Sequence, residues 1–155
     1  MKRLFNIRSL MLTIAMLMGA IPVAAIERPF SLNGNGVADF ATDGAGNVIG
    51  GTATGSGTAT HLGLWTVIGH IRFTPDENGI IRSSGTATFT AANGDKLEVE
   101  VDGQLDTATF TDHGIFRFVG GTGRFAGASG SADFVVVINP VTNGFELTLV
   151  GSINY

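Results

Sequence analysis

Residues 96–106 read Lys-Leu-Glu-Val-Glu-Val-Asp-Gly-Gln-Leu-Asp. Leu97, Val99, Val101 and Leu105 share one parity, and Glu98, Glu100, Asp102, Gln104 and Asp106 share the other. Successive side chains of a β-strand point to opposite faces, so this run predicts a strand with one dry and one wet side. The same alternation recurs on both sides of it. Phe145, Leu147, Leu149 and Ile153 oppose Glu146, Thr148, Ser152 and Asn154. Trp65, Val67, Ile71 and Phe73 oppose Thr66, His70 and Arg72. Gly51, Ala53, Gly55, Gly57 and Ala59 oppose Thr52, Thr54, Ser56, Thr58 and Thr60, and Ala87 and Phe89 oppose Thr86, Thr88 and Thr90.

Turn pairs punctuate these runs: Asp43-Gly44, Asn78-Gly79, Asn93-Gly94 and Asn143-Gly144. Asn, Asp and Gly tolerate the positive φ that tight hairpins demand. The spacing predicts strands over 30–40, 49–60, 63–73, 80–91, 96–106, 108–119, 125–139 and 145–154. Short connections make sequence neighbours antiparallel neighbours. Eight strands, each with one apolar face, can close on themselves and hide every edge. The expected fold is all-β, an eight-stranded antiparallel closed barrel over 26–155. The recurring Gly-Thr-Ala-Thr words are irregularly spaced and reflect strand composition, not a solenoid.

Residues 1–25 carry a different signature. Lys2, Arg3 and Arg8 precede an apolar run from Leu10 to Ile21, then Pro22 and the small residues Val23-Ala24-Ala25. This is the pattern of a secretory signal peptide cleaved after Ala25. The expected localisation is secreted or periplasmic. The run is too short to span a bilayer, so no membrane insertion is expected after cleavage. The whole chain carries −4; without the three leader cations, six basic residues face thirteen acidic ones, a net −7. Such a balance disfavours nucleic acid or anionic lipid as a partner. There is no Cys, which excludes disulfides, thiol catalysis and thiolate zinc sites. A lipid-facing barrel would turn its apolar parity and girdles of Trp and Tyr outward. One Trp and one Tyr make no girdle.

The stretch Phe118-Val119-Gly120-Gly121-Thr122-Gly123-Arg124-Phe125-Ala126-Gly127-Ala128-Ser129-Gly130 resembles the signature hairpin of the allene oxide cyclase and dirigent barrels. There a Gly-Gly-Thr-Gly-x-Phe turn joins two late strands. Gly57-Thr58-Ala59-Thr60-His61-Leu62-Gly63 is similar to words in small exported bacterial members of unassigned function. The resemblance implies a calycin-like barrel with a central cavity. It brings no activity, because none of that family's catalytic residues can be matched to positions in this chain. Gly120, Gly121 and Gly123 read as a structural turn; a phosphate-cradling loop would need a helix after it, and a Val/Phe-rich strand follows.

Few residues carry chemistry. His61 takes the inward parity if strand two runs that far, and with Trp65 it would stand near a cavity mouth; the alternative is a turn His bonded to backbone. Asp112 shares parity with Phe110, Phe116 and Phe118, which would bury its carboxyl and raise its pKa. Alternatively, Asp112-His113-Gly114 forms a bulge or turn that sends the carboxylate to water. Phe89 and Phe134 complete the expected cavity wall, and Ser83 is the remaining polar residue of inward parity. No metal site is expected: the Glu98–Asp106 stripe is too flat to wrap a cation, and His61 and His70 stand roughly 30 Å apart along extended chain. No cofactor motif is present. Two function classes follow: a non-enzymatic or structural barrel holding a small apolar ligand, and a cofactor-free cyclase or isomerase. Three inward polar residues favour the first.

Overall fold

A computed structural model describes residues 26–155; the leader read over 1–25 lies outside the described residues. Eight strands run in chain order: β1 Arg28–Thr42, β2 Val48–Ala59, β3 Gly63–Pro75, β4 Ile81–Ala91, β5 Lys96–Asp106, β6 Thr111–Gly121, β7 Ser129–Ile138 and β8 Gly144–Asn154. Each pairs antiparallel with the next, and β8 returns to β1, closing the barrel. Closure leaves no free sheet edge, so every ladder donor and acceptor has a neighbour to meet.

The strand parity falls as the alternation predicts. Leu97, Val99 and Val101 of β5 point inward and are buried, while Glu98, Glu100 and Asp102 are exposed. The outer face is less polar than expected: Val37, Leu64, Ile68, Val135, Val137 and Val150 all stand exposed.

Two expected boundaries shift. β6 begins at Thr111 rather than 108, because residues 107–110 form a turn in which Phe110 adopts φ 53° and is 40% exposed. Phe110 therefore leaves the inward row of Phe116 and Phe118. β7 begins at Ser129 rather than 125, since Gly123–Phe125 coil into a short 3-10 turn. Ala126 is exposed in consequence and Phe125 is fully buried. In the first hairpin the positive φ belongs to Gly46, not Gly44.

The barrel has two unlike ends. The lower end gathers the connections 60–62, 92–95 and 122–128, together with Arg28 and Tyr155. It is sealed by Phe30, Leu62, Phe118, Phe125 and Ile153, all buried. The glycines of 120–123 make that seal possible. Gly121 and Gly123 take φ 155° and 56°, and a Cβ at Gly123 would collide with the Asp95 carboxylate. The upper end carries the loops 43–47, 76–80, 107–110 and 139–143. Each has, at its first position or just before it, a side chain accepting hydrogen bonds from the loop: Asp43 from Ala45 and Asn47, Asp76 from Asn78 and Ile80, Asp106 from Ala108, and Asn139 from Val141 and Thr142. Short Asx side chains stabilise turns in this way.

Candidate functional site

The interior is layered, and the register of β1 to β4 decides what fills each layer. Gly34 pairs with Gly57 and Gly57 with Trp65. The two glycines clear a space that the Trp65 indole occupies; a Cβ at Gly57 would lie 2.7 Å from Trp65 Cζ2. One layer up, Gly36 pairs with Gly55, and the Phe145 ring fills that gap, 2.6 Å from the place of a Cβ on Gly36. In the next layer Ala38 pairs with Ala53, Ala53 with Gly69, and Gly69 with Ala87. Four small residues on four consecutive strands meet no ring large enough to cover them. A cavity of about 90 Å³ remains there. All four line it, and Phe89, Phe116, Phe134 and Val101 face them. Its lining extends to Phe40, Phe73 and Ile138, near the upper strand ends. The Phe40 and Phe73 rings stand 6.5 Å apart there.

One titratable residue lines this cavity, Asp112. It is 5% exposed and sits in unbroken β6 register, opposite Leu105 on one side and Val136 on the other. The bulge that would have turned it to water occurs instead near the other end of the strand, beside Glu98 and Val99. Ser83, fully buried on β4, donates a 2.7 Å hydrogen bond to Asp112 Oδ1. Gly103 on β5 stands between them, and a Cβ there would lie 2.7 Å from Ser83 Oγ and 2.6 Å from Phe134 Cζ. Burial holds the Asp112 carboxyl above the usual carboxylate value; the Ser83 bond and the neighbouring His113 pull it back down. Among the described residues, no Lys, Arg or His lies within ion-pair distance of it.

The seven candidate cavity residues thus divide. Phe89, Asp112, Phe116 and Phe134 line the cavity; His61, Trp65 and Phe118 do not. β2 ends at Ala59, and His61 lies in the following turn with φ 67°. Its Nε2 meets the Pro29 carbonyl at 2.9 Å and its Nδ1 meets the Tyr155 hydroxyl at 3.1 Å. A carbonyl can only accept, so Nε2 carries the proton and Nδ1 accepts from Tyr155. His61 is therefore a clasp at the sealed end. Trp65 and Phe118 are buried below the cavity, though Trp65 touches its wall through an edge-to-face contact with Phe89 at 5.2 Å. Sequence reasoning did not identify Ala38, Gly69, Val136 or Phe145 as cavity-lining residues; only strand pairing shows that the first two continue the row of Ala53 and Ala87.

No protein-family model matches the chain, and no curated protein matches it. Among solved structures, the pterocarpan synthase dirigent protein is similar at 15% identity with a TM-score of 0.46, over 83% of this chain and 86% of that one. The barrel described above rests on the closed strand order, not on this likeness.

Proposed function

We propose that this barrel is a non-enzymatic carrier or receptor for a small apolar ligand taken up through its upper end. The cavity walled by Ala38, Ala53, Gly69 and Ala87 carries the reading. A structural barrel gains stability from a filled interior, and a void of this size forfeits contacts along its whole lining. A run of small residues across four strands that no side chain covers is better explained by an occupant. About 90 Å³ is less than the roughly 150 Å³ apolar cavity known to take benzene. The occupant is therefore slender, or extends past Phe40 and Phe73 toward solvent. The export pattern of residues 1–25 would have it meet that ligand outside the cytoplasm.

A second reading, a cofactor-free cyclase or isomerase, has one observation in its favour. Asp112 is a buried acid in the cavity wall, and a group of that kind can lend a proton to a bound substrate. Catalysis of such a rearrangement also needs groups that steer the reacting ends, and the rest of the lining is hydrocarbon. Binding is the better supported of the two. Native mass spectrometry of protein purified from its own host tests the proposal. A bound small molecule released on denaturation is expected. Uniformly empty protein that also takes up no hydrophobic probe would overturn it.

A further inference from the structure

Asp112 is an odd choice for the wall of a cavity meant for hydrocarbon alone. An ionised carboxylate in such surroundings is costly unless a cation meets it. The chain supplies no such cation within ion-pair distance, among the described residues. Ser83 occupies Oδ1, no second side chain bonds the carboxyl, and Asp112 faces the open space. Its environment is built rather than incidental, since Gly103 is bare where any side chain would break the Ser83 bond.

The rim points to the same chemistry. The four upper loops contain Asp43, Asp76 and Glu77 and no Lys or Arg, and Asp106 ends β5 beside them. Turn hydrogen bonds hold Asp43, Asp76 and Asp106 below the usual carboxylate value, so they stay ionised. Of the basic residues, Arg28, Lys96 and Arg124 belong to the sealed end, where Glu27 and Asp95 accompany them; Arg117 lies on the outer wall, and Arg72 stands on the outer face of β3, three residues below the rim. Arg82 stands by the rim and pairs with Asp76 at 3.5 Å. The mouth thus keeps an excess of negative charge, four carboxylates against Arg72 and Arg82, and the far end does not, an asymmetry that draws cations toward the opening and repels anions.

Resting on the binding proposal above, we infer that the ligand is a small hydrophobic amine, its ammonium group held by Asp112 and its hydrocarbon body lying against the Ala53–Gly69–Ala87 wall. The ammonium supplies the counter-ion that the fold omits. A carboxylate ligand would set a second acid beside Asp112 with no cation to offset either. An alcohol could bond Asp112 but would bring it no counter-ion.

A matched trio of probes separates this inference from the proposal beneath it. n-Butylamine, n-butanol and pentanoate carry the same butyl chain and differ only in the head group. Each is titrated into the protein at neutral pH, with the NMR signals of Val67, Phe116 and Val136 as readout. The amine is expected to bind at least tenfold more tightly than the alcohol, and pentanoate more weakly than either. Asp112→Asn is expected to abolish the preference for the amine, bringing it down to the level of the alcohol on the same variant. Equal binding of amine and alcohol to the unaltered protein would overturn the amine inference and leave the apolar pocket standing. Failure of all three to perturb those signals would overturn both. The ranking in the unaltered protein decides the matter even if the variant does not fold.

Discussion

Ser83 and Asp112 do not lie on neighbouring strands, yet Ser83 Oγ donates a 2.7 Å hydrogen bond to Asp112 Oδ1 across the bare backbone of Gly103. The bond is buried, and it is the polar feature around which the cavity wall is arranged. Three strands contribute to it, each with a residue that makes sense only in the presence of the other two.

Replacing Gly103 with Ala should break this arrangement. The added methyl would lie 2.7 Å from Ser83 Oγ, 2.6 Å from Phe134 Cζ and 2.8 Å from the His113 carbonyl oxygen. The last of these is backbone and cannot swing aside. A loss of about 1–3 kcal/mol is expected, as for other overpacked interiors. Urea unfolding measures it, and an unchanged midpoint would mean the wall is looser than described.

The Asp112 carboxyl also makes a prediction about pH. Burial is the chief cause that holds its pKa in the folded protein above the ordinary carboxylate value of 3.8. The contribution of such a group is most favourable below about 3.8 and is lost as pH rises through the folded value. Asp43, Asp76 and Asp106, whose values are lowered, act in the opposite sense, so the variant must be compared with its parent. Asp112→Asn should therefore be the more stable protein at pH 7 to 8, with the difference shrinking as pH falls toward 3.8. Paired unfolding curves across that range check it. A difference independent of pH would remove the buried carboxyl as its cause.

Filling the small-residue row should close the cavity. Ala53 lies beside Gly69, whose missing Cβ would stand 3.9 Å from the Ala53 Cβ and 3.3 Å from that of Ala87. Ala53→Leu should abolish uptake of hydrophobic probes with the barrel intact and stability altered by no more than about 1–3 kcal/mol. Retained uptake would place the binding space elsewhere.

The sealed end should behave as a packed core. Phe125 is fully buried, edge-to-face with Tyr155 at 5.2 Å, and lies outside the cavity lining. Phe125→Ala should cost about 3–5 kcal/mol, whereas Thr88→Ala, on the outer parity, should stay within about 0.5 kcal/mol. Equal losses in thermal or urea unfolding would contradict the inside and outside assignment.

The alternation of residues such as Leu97, Val99 and Val101 made the strands and their inward faces legible in the sequence, and the turn pairs made the antiparallel order legible. Parity fixes the side on which a residue lies but not its height in the barrel, which depends on register. Ala53 and Gly57 share a parity and look equivalent, yet Gly57 lies under the Trp65 ring while Ala53 borders open space. Nothing local distinguishes them. The same limit moved His61 and Trp65 away from the cavity. His61 was displaced further by a positive φ that only the turn geometry reveals. Asp112 was ambiguous because Gly114 is as compatible with a bulge as with a strand. The Ser83 bond spans 29 residues of sequence, and no spacing rule announces it.

The most direct test of ligand uptake through the upper end is a titration of the protein with n-butanol, followed residue by residue by NMR. The expected result is saturable shifts at Val67, Phe116, Val136 and Ile138, with Phe30, Leu62, His61 and Ile153 at the sealed end unmoved. Shifts centred on the sealed end, or none that saturate anywhere in the barrel, would contradict it.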